Sequence, residues 1–319
     1  MKKILYLVGV LVLIVILVFA YLNFFNQSSE NEEEIVKTKE KKEIEKEEEK
    51  VEIKNDTQQE NVSTKDDKLK IYFIQTNNET TQGEAILIKK DEFEMLVNSG
   101  PESGSDKLIQ FLEEKEVDKL DVFVTTGSST DLYGGLEAVY NKFGAEELWR
   151  FETRSYNNPE YNKKTNLTGT TEIFLKRGQV KNFDDIKVKM LNPAKEDSNP
   201  DLKINSAVLK VSYKDFCILL TAELGSGGQR DILNRNDVKC QVLQIADHGL
   251  DENNRQSEIL VNAVSPKTAI ISGGTTKNEE RVAIKKILEN KEIELFENYV
   301  GGTVVVETDG TTYSVNYEN

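Results

Sequence analysis

His248, in the string Ile245-Ala246-Asp247-His248-Gly249, is the only histidine in the chain. That single fact excludes any metal centre built on two or three imidazoles. Hydroxyls are plentiful in the stretch Thr125-Thr126-Gly127-Ser128-Ser129-Thr130-Asp131, but a serine nucleophile needs an adjacent base. Ser129, Asp131 and His248 supply the residue types of a triad. No nucleophile-elbow string accompanies them, so the stretch reads as a hydroxyl-rich loop. Gly225-Ser226-Gly227-Gly228 has the glycines of a phosphate cradle without the Lys-Ser/Thr pair of a P-loop, and reads as a helix-capping turn. Cys217 and Cys240, the only cysteines, fall in apolar runs and read as buried core thiols. A single disulfide between neighbouring strands is the alternative in an oxidising compartment. Trp149, Tyr156, Tyr161 and Tyr213 read as packing or rim residues rather than a platform for stacked bases, because the surrounding chain is acidic.

The elements that position these groups follow from hydrophobic spacing. Short apolar runs at Leu69 to Gln75, Ala85 to Lys89 and Glu94 to Val97 predict a strand meander. Ser105 to Val117, with Leu108, Phe111 and Leu112 among charges, predicts an amphipathic helix. A buried strand at Leu120 to Thr126 and a helix at Gly134 to Phe143 follow, and Tyr156 to Leu167 reads as a polar loop. Further strands are expected at Glu172 to Lys176, Ile186 to Leu191, Ala207 to Tyr213, Phe216 to Thr221 and Val242 to Ala246. Next come helix Gln256 to Val264, strand Thr268 to Ser272 and helix Asn278 to Glu289. Strands at Glu292 to Phe296, Gly302 to Thr308 and Thr312 to Val315 close the chain. Strands alternating with helices in both halves predict an α/β (α+β) domain of two mixed sheets covered by helices, spanning residues 68 to 319.

Ahead of that domain, Lys2 and Lys3 precede an uncharged, proline-free run from Ile4 to Phe25. At about 1.5 Å per residue the run is long enough for a hydrocarbon core of roughly 30 Å. A secretory signal cleaved after Val18-Phe19-Ala20 would need a shorter run, since apolar residues continue through Phe25. Residues 1 to 25 are therefore expected to form a cytoplasmic tip and an uncleaved single-pass anchor, with everything beyond lying outside the membrane. Residues 26 to 67, rich in Glu and Lys with scattered Ile35, Ile44, Val51 and Ile53, read as a solvated, disordered tether. The whole chain carries a net charge of −15. The domain keeps about two-thirds of it, the wrong sign for steering toward nucleic acid or anionic lipid.

Five strings taken in order narrow the fold. They are Gln82-Gly83-Glu84-Ala85-Ile86-Leu87-Ile88, Leu96-Val97-Asn98-Ser99-Gly100, Thr126 through Gly135, Leu219-Leu220-Thr221-Ala222-Glu223-Leu224 and Ile245 through Gly249. Together with the Leu191-Asn192-Pro193 turn and Asn205-Ser206-Ala207-Val208-Leu209, they resemble the metallo-β-lactamase fold. The branch they resemble most is the extracellular domain of the ComEC/Rec2 DNA-uptake proteins. The resemblance implies an αββα sandwich whose strand-to-helix loop reads Thr-His-x-x-x-Asp-His-x-Gly-Gly, where imidazoles and a carboxylate converge on one or two Zn²⁺ ions and activate a water.

Here the ligand positions that the resemblance implies are degenerate. Gly127 and Leu132 stand where the loop carries histidines, Ser129 fills the intervening ligand position, and Asp131 alone remains. Glu223 stands for the aspartate of Leu-Leu-Thr-Gly-Asp, Asp247-His248-Gly249 for His-His-Gly, and the later Gly-His-Pro has no counterpart near Thr275 to Glu280. The expectation is a membrane-anchored pseudoenzyme that binds a protein or cell-envelope partner. It has no catalytic residues and no zinc, and nucleic acid is not its ligand. Asp131, Glu223, Asp247 and His248 are at most weak ligands for Ca²⁺, Mg²⁺ or Mn²⁺. The competing expectation is an extracytoplasmic metal-dependent hydrolase, of phosphodiesterase or nuclease type, with an atypical site.

Overall fold

The computed structural model describes residues 67–76, 82–150, 158–193, 203–234, 237–250, 254–273 and 281–318. The expected anchor at 4–25 and the tether as far as residue 66 lie outside the described residues. Among the described residues, no helix is long and apolar enough to cross a membrane. The chain divides into two units, Met1–Thr64 and Lys65–Asn319, and the description below concerns the second.

Its first half opens with the antiparallel strands β1 (Leu69–Phe73), β2 (Ile86–Lys90) and β3 (Phe93–Val97), followed by helix α1 (Ser105–Glu114) and strand β4 (Leu120–Val124). Helices α2 (Thr130–Tyr133) and α3 (Leu136–Phe143) lead to β5 (Ala145–Arg150), α4 (Pro159–Lys164) and β6 (Thr171–Phe174). The second half runs β7 (Val180–Phe183), β8 (Ile186–Asn192), β9 (Val208–Tyr213), β10 (Phe216–Leu220), α5 (Ser226–Leu233), β11 (Val242–Gln244), α6 (Asn254–Val264), β12 (Thr268–Ile271), α7 (Arg281–Asn290) and β13 (Glu294–Glu297). Helix α8 (Asn298–Gly301) and the hairpin β14 (Val304–Thr308) and β15 (Tyr313–Tyr317) return the chain to the first sheet. Among the described residues the sheets are mixed, with eight strands in the order β15-β14-β1-β2-β3-β4-β5-β6 and seven in the order β13-β12-β11-β10-β9-β8-β7.

Period-2 alternation builds the layers. In β1 the side chains of Leu69, Ile71 and Phe73 point between the sheets, where they meet Val97, Val124, Leu209, Ile218, Val242 and Ile270. Their neighbours Tyr72 and Ile74 point the other way, onto Leu108 and Leu112 of α1 and Val139 of α3. The second sheet repeats the scheme, with Leu219, Leu243, Ala269 and Ile271 outward against Ile232 of α5, Leu260 of α6, and Ile284 and Leu288 of α7. Two sheets buried on both faces need apolar residues at consecutive strand positions, which is why these strands read as unbroken Ile/Leu/Val/Phe runs. The layers are helix, sheet, sheet, helix.

Four sequence readings are corrected. Strand β5, Ala-Glu-Glu-Leu-Trp-Arg, escapes notice because its residues favour helix, yet parallel pairing with β4 and β6 overrides that preference. Strand β7 is short and exposed at a sheet edge, with too little apolar content to register. The expected loop over 156–167 contains α4 from Pro159. Asn158 caps it by accepting from the Tyr161 amide at 3.0 Å, and Tyr161 itself is buried. Cys217 and Cys240 are joined in a disulfide with Cα atoms 5.1 Å apart rather than lying as free core thiols. The parallel register Ile218↔Val242 sets the two chain segments side by side.

Reducing that bond releases a closed loop of 23 residues' separation. Dithiothreitol is therefore expected to lower the unfolding free energy by about 2–4 kcal/mol, read from urea denaturation with and without the reductant.

Candidate functional site

Strands β3 and β4 run parallel in one sheet, and β10, β11 and β12 run parallel in the other. Within each sheet the loops leaving their C-terminal ends therefore gather at one edge. The first-sheet loops are Asn98-Ser99-Gly100 and Thr125 through Ser129, the latter running into α2. The second-sheet loops are Thr221-Ala222-Glu223, the turn Ala246–Gly249, and Ser272-Gly273. Backbone hydrogen bonds lace them together: Glu84 N–H donates to Asp131 O at 3.1 Å, Ser99 N–H to Leu132 O at 2.7 Å and Asp247 N–H to Ala222 O at 2.8 Å. Gly134 and Gly135 let this lacing close, since a Cβ on either would sit 2.5 Å from Glu102 N or 2.7 Å from Ser99 O.

Beneath the loops lies Glu84, fully buried. One carboxylate oxygen accepts from Asn98 Nδ2 at 2.8 Å, and the other accepts from Ser272 Oγ at 2.8 Å and from Gln244 Nε2. Asn98, held at φ +59°, also accepts from the Thr126 amide at 2.9 Å. Gln244 accepts from the amides of Thr221 and Ala222 at 2.9 and 3.1 Å. Ser272 also accepts with its carbonyl oxygen from His248 Nδ1 at 2.7 Å. A carbonyl can only accept, so Nδ1 carries a proton and Nε2 is turned to the other side. The His248 carbonyl in turn accepts from Nε of the buried Arg281 at 2.8 Å, and the Arg281 guanidinium stacks 4.5 Å over the Tyr299 ring. Asp247 and His248 have φ of +50° and +52°. Side chains rarely adopt that region without such support.

His248 Nε2 faces Asp131 Oδ2 and Glu223 Oε1, each at 3.6 Å, and makes no hydrogen bond although it is buried. Donor atoms of these three residues lie within 4.8 Å of one another. Burial alone would push the imidazole pKa down, but Asp131 and Glu223, with Glu84 behind, raise it well above its ordinary value. Burial pushes Asp131 up, yet His248 and the Ser129 hydroxyl outweigh it and hold that carboxyl at about 2. Glu223 is raised, chiefly by burial and further by the neighbouring carboxylates, against the pull of His248. Glu84 is raised by burial, opposed by His248 and its three donors.

Of the residues singled out in the sequence, Asp131, Glu223 and His248 are brought together. Asp247 is not: its carboxylate turns to Lys203 Nζ at 2.6 and 2.8 Å. Ser129 stands at the N-cap position of α2 without a side-chain capping bond, and its hydroxyl donates to Asp131. Leu132 is fully buried, with Cδ1 3.0 Å from where a Cβ on Gly127 would stand, so hydrocarbon fills the space between those two positions. The glycine turn starts α5 and is packed rather than open, since a Cβ on Gly228 would lie 2.7 Å from Ile204 O. Trp149, Tyr161 and Tyr213 are buried packing residues, and Tyr156 lies outside the described residues. Glu84, Gln244, Ser272, Arg281 and Lys203 were missed as site residues. Glu84 alone carried a signal, as a lone acid ahead of an apolar strand. A histidine-built zinc pair does not fit this donor set, which offers one imidazole, two carboxylates and a leucine.

No family model matches the sequence. Competence protein ComA of Neisseria gonorrhoeae is 25% identical over 196 residues, covering 60% of this chain and 26% of ComA. The chain thus spans about a quarter of the length of the curated relative it matches. Among solved structures, the metallo-β-lactamase-fold protein YhfI of Bacillus subtilis superposes with a TM-score of 0.53 at 11% identity, over 78% of this chain and 99% of YhfI. A variant of the β-hydroxylase CmlA, a Streptomyces venezuelae protein, also gives 0.53, at 9% identity over 80% of this chain and 55% of CmlA. The domain has the metallo-β-lactamase fold, and its sequence carries a weak ComEC-like similarity.

Glu84→Gln tests the role of the buried carboxyl. An amide there presents its NH₂ to at least one donor, and the variant is expected to lose about 1–3 kcal/mol of stability in urea denaturation. Exposed Glu289→Gln is the control and should stay within about 0.5 kcal/mol of the parent.

Proposed function

We propose that this protein is a membrane-anchored, extracytoplasmic binding or scaffold protein whose metallo-β-lactamase-fold domain has given up zinc hydrolysis. The observation that carries this reading is Leu132, fully buried against Gly127. In the resemblance both positions bear imidazoles, and a water cannot be activated by a zinc ion that has lost its nitrogen ligands. The anchor rests on the length of the Ile4 to Phe25 run, and the disulfide agrees with an oxidising compartment outside the cytoplasm. The similarity to a competence protein supports a place at the cell envelope, with a protein or envelope component as partner. The acidic charge speaks against nucleic acid as the ligand.

A second reading, a metal-dependent hydrolase with an atypical site, is favoured by one observation, the convergence of Asp131, Glu223 and His248. The two readings separate on turnover. The purified full chain, supplied with Zn²⁺ or with Mn²⁺, is expected to hydrolyse a chromogenic phosphodiester no faster than buffer does. Turnover that disappears in His248→Ala would replace the scaffold reading with the hydrolase. In fractionated cells the protein is expected to stay with the membrane through an alkaline wash. A soluble mature form beginning near Tyr21 would instead mark Ile4 to Ala20 as a cleaved signal.

A further inference from the structure

Among the described residues the first sheet ends at β15 and β6, and the second at β13 and β7. A strand at the end of a sheet presents a row of unpaired N–H and C=O groups, which proteins guard with charges, proline or bulges. β6 (Thr-Glu-Ile-Phe), β7 (Val-Lys-Asn-Phe) and β13 (Glu-Leu-Phe-Glu) each carry a charge. β15 reads Tyr-Ser-Val-Asn-Tyr, with no charge, no proline and an unbroken register against β14. It is the unguarded edge.

The ladder says which backbone groups that edge offers. Just past the strand, Glu318 N–H donates to Thr303 O at 2.8 Å, and the register Val304↔Tyr317 through Thr308↔Tyr313 continues from there. Antiparallel bonding alternates along a strand, so Asn316 and Ser314 bond inward to Val305 and Glu307. Tyr313, Val315 and Tyr317 therefore turn their N–H and C=O groups away from β14. The side chains of Tyr313 and Val315 pack toward the core between the sheets, and Tyr317 meets the Phe296 ring at 5.4 Å while staying 37% exposed. Ser314 and Asn316 lie exposed on the other face.

The strand is its own complement. Read in either direction from Val315 it runs through a small polar residue to a tyrosine. We propose that two copies of this chain pair their β15 strands antiparallel about a two-fold axis at Val315, joining their first sheets into one continuous sheet. Val315 then meets Val315, Tyr313 meets Tyr317, and every outward N–H finds an outward carbonyl. Ser314 of one copy stands opposite Asn316 of the other, and the tyrosines form cross-strand aromatic pairs. Charge favours this edge over the others, because two copies of a chain with net charge −15 can approach closely only where carboxylates do not face each other. The nearest acid, Glu318, falls opposite Thr312 of the second copy and is already paired with Lys115. The proposal goes beyond the scaffold reading and does not rest on it, since the seam lies in the sheet edge and uses none of the loop residues.

Cysteine cross-linking of the full-length chain reads the register directly, because Cys217 and Cys240 are bonded to each other and an introduced thiol is the one left free. Val315→Cys, treated with a mild oxidant, is expected to give a covalent dimer on non-reducing gels, its two Cα atoms lying about 5.5 Å apart. Differently tagged Ser314→Cys and Asn316→Cys chains, expressed together, are expected to cross-link across about 4.5 Å. Neither should do so alone, since like positions sit diagonally at roughly 8 Å. Val315→Pro removes an outward N–H without costing a bond to β14. It is expected to cut the 314–316 cross-link by about tenfold or more, with circular dichroism like the parent's. Should that variant fail to fold, Ser314→Glu with Asn316→Glu sets carboxylates across the seam, and loss of the Val315→Cys dimer is the expected result. The proposal is overturned if Val315→Cys forms no dimer, or if Ser314→Cys alone cross-links as well as the mixed pair. Cross-links that persist in the folded disrupting variants overturn it too. So does a Val315→Cys thiol joined to a different protein, which would assign the edge to a foreign strand.

Discussion

Glu84 sits ahead of β2 with its carboxyl sealed from water. A group of that kind is tolerated only when hydrogen bonds replace the solvent it has lost. Its donors come from both halves of the domain, Asn98 from the first sheet and Gln244 and Ser272 from the second. One side chain thereby fixes how the two sheets meet at the loop edge. Each donor then passes the constraint outward. Asn98 holds the Thr126 loop, Gln244 holds the start of the Glu223 loop, and Ser272 orients the His248 ring. Apolar packing supplies the bulk of the stability, but it is non-directional and cannot set a ring angle. The buried polar network does that.

The electrostatics of the edge follow from this frame. Three acids stand close to one imidazole, and the structure treats them differently. Lys203 neutralises Asp247, the Ser129 hydroxyl and His248 hold Asp131 ionised, and burial pushes Glu223 toward its neutral form. The result is a recess in which an ionised Asp131 faces an imidazole of raised pKa, with too few nitrogen ligands for the zinc site that the resemblance implies. On the proposed scaffold reading, fold and activity come apart because the fold is held by strands and helices, whereas the ligands sit on loops that can change without disturbing the core. Leu132 shows the exchange most plainly. Its side chain packs as core in a place that the resemblance assigns to a polar ligand.

Much of the fold was legible in the residues. Runs such as Leu120 to Val124 and Thr268 to Ile271 read as buried strands by their shortness and β-branched content, and Leu108, Phe111 and Leu112 among charges read as one face of a helix. These signals are local and periodic, so they survive without knowledge of the partner. Strand β5 was illegible because Ala-Glu-Glu-Leu-Trp-Arg prefers helix, and only pairing on both sides makes it a strand. The disulfide lay open in the sequence for the same kind of reason. Two cysteines separated by 23 positions say nothing about Cβ distance until β10 and β11 are set in parallel register.

The candidate site divides along the same line. By itself, the sequence determined that one imidazole exists, that Gly127 and Leu132 cannot ligate a metal, and that Asp131, Glu223 and Asp247 were the acids to watch. Those are statements about composition at positions, which no folding can alter. Only the tertiary structure decided that Asp247 turns to Lys203 while Asp131 and Glu223 turn to His248, that Glu84 lies beneath them, and that Arg281 props the turn from α7. Direction is the reason. A residue's type is fixed by the chain, but where its charged atoms point depends on backbone angles such as the positive φ at Asp247 and His248. Contacts from distant segments hold those angles in place.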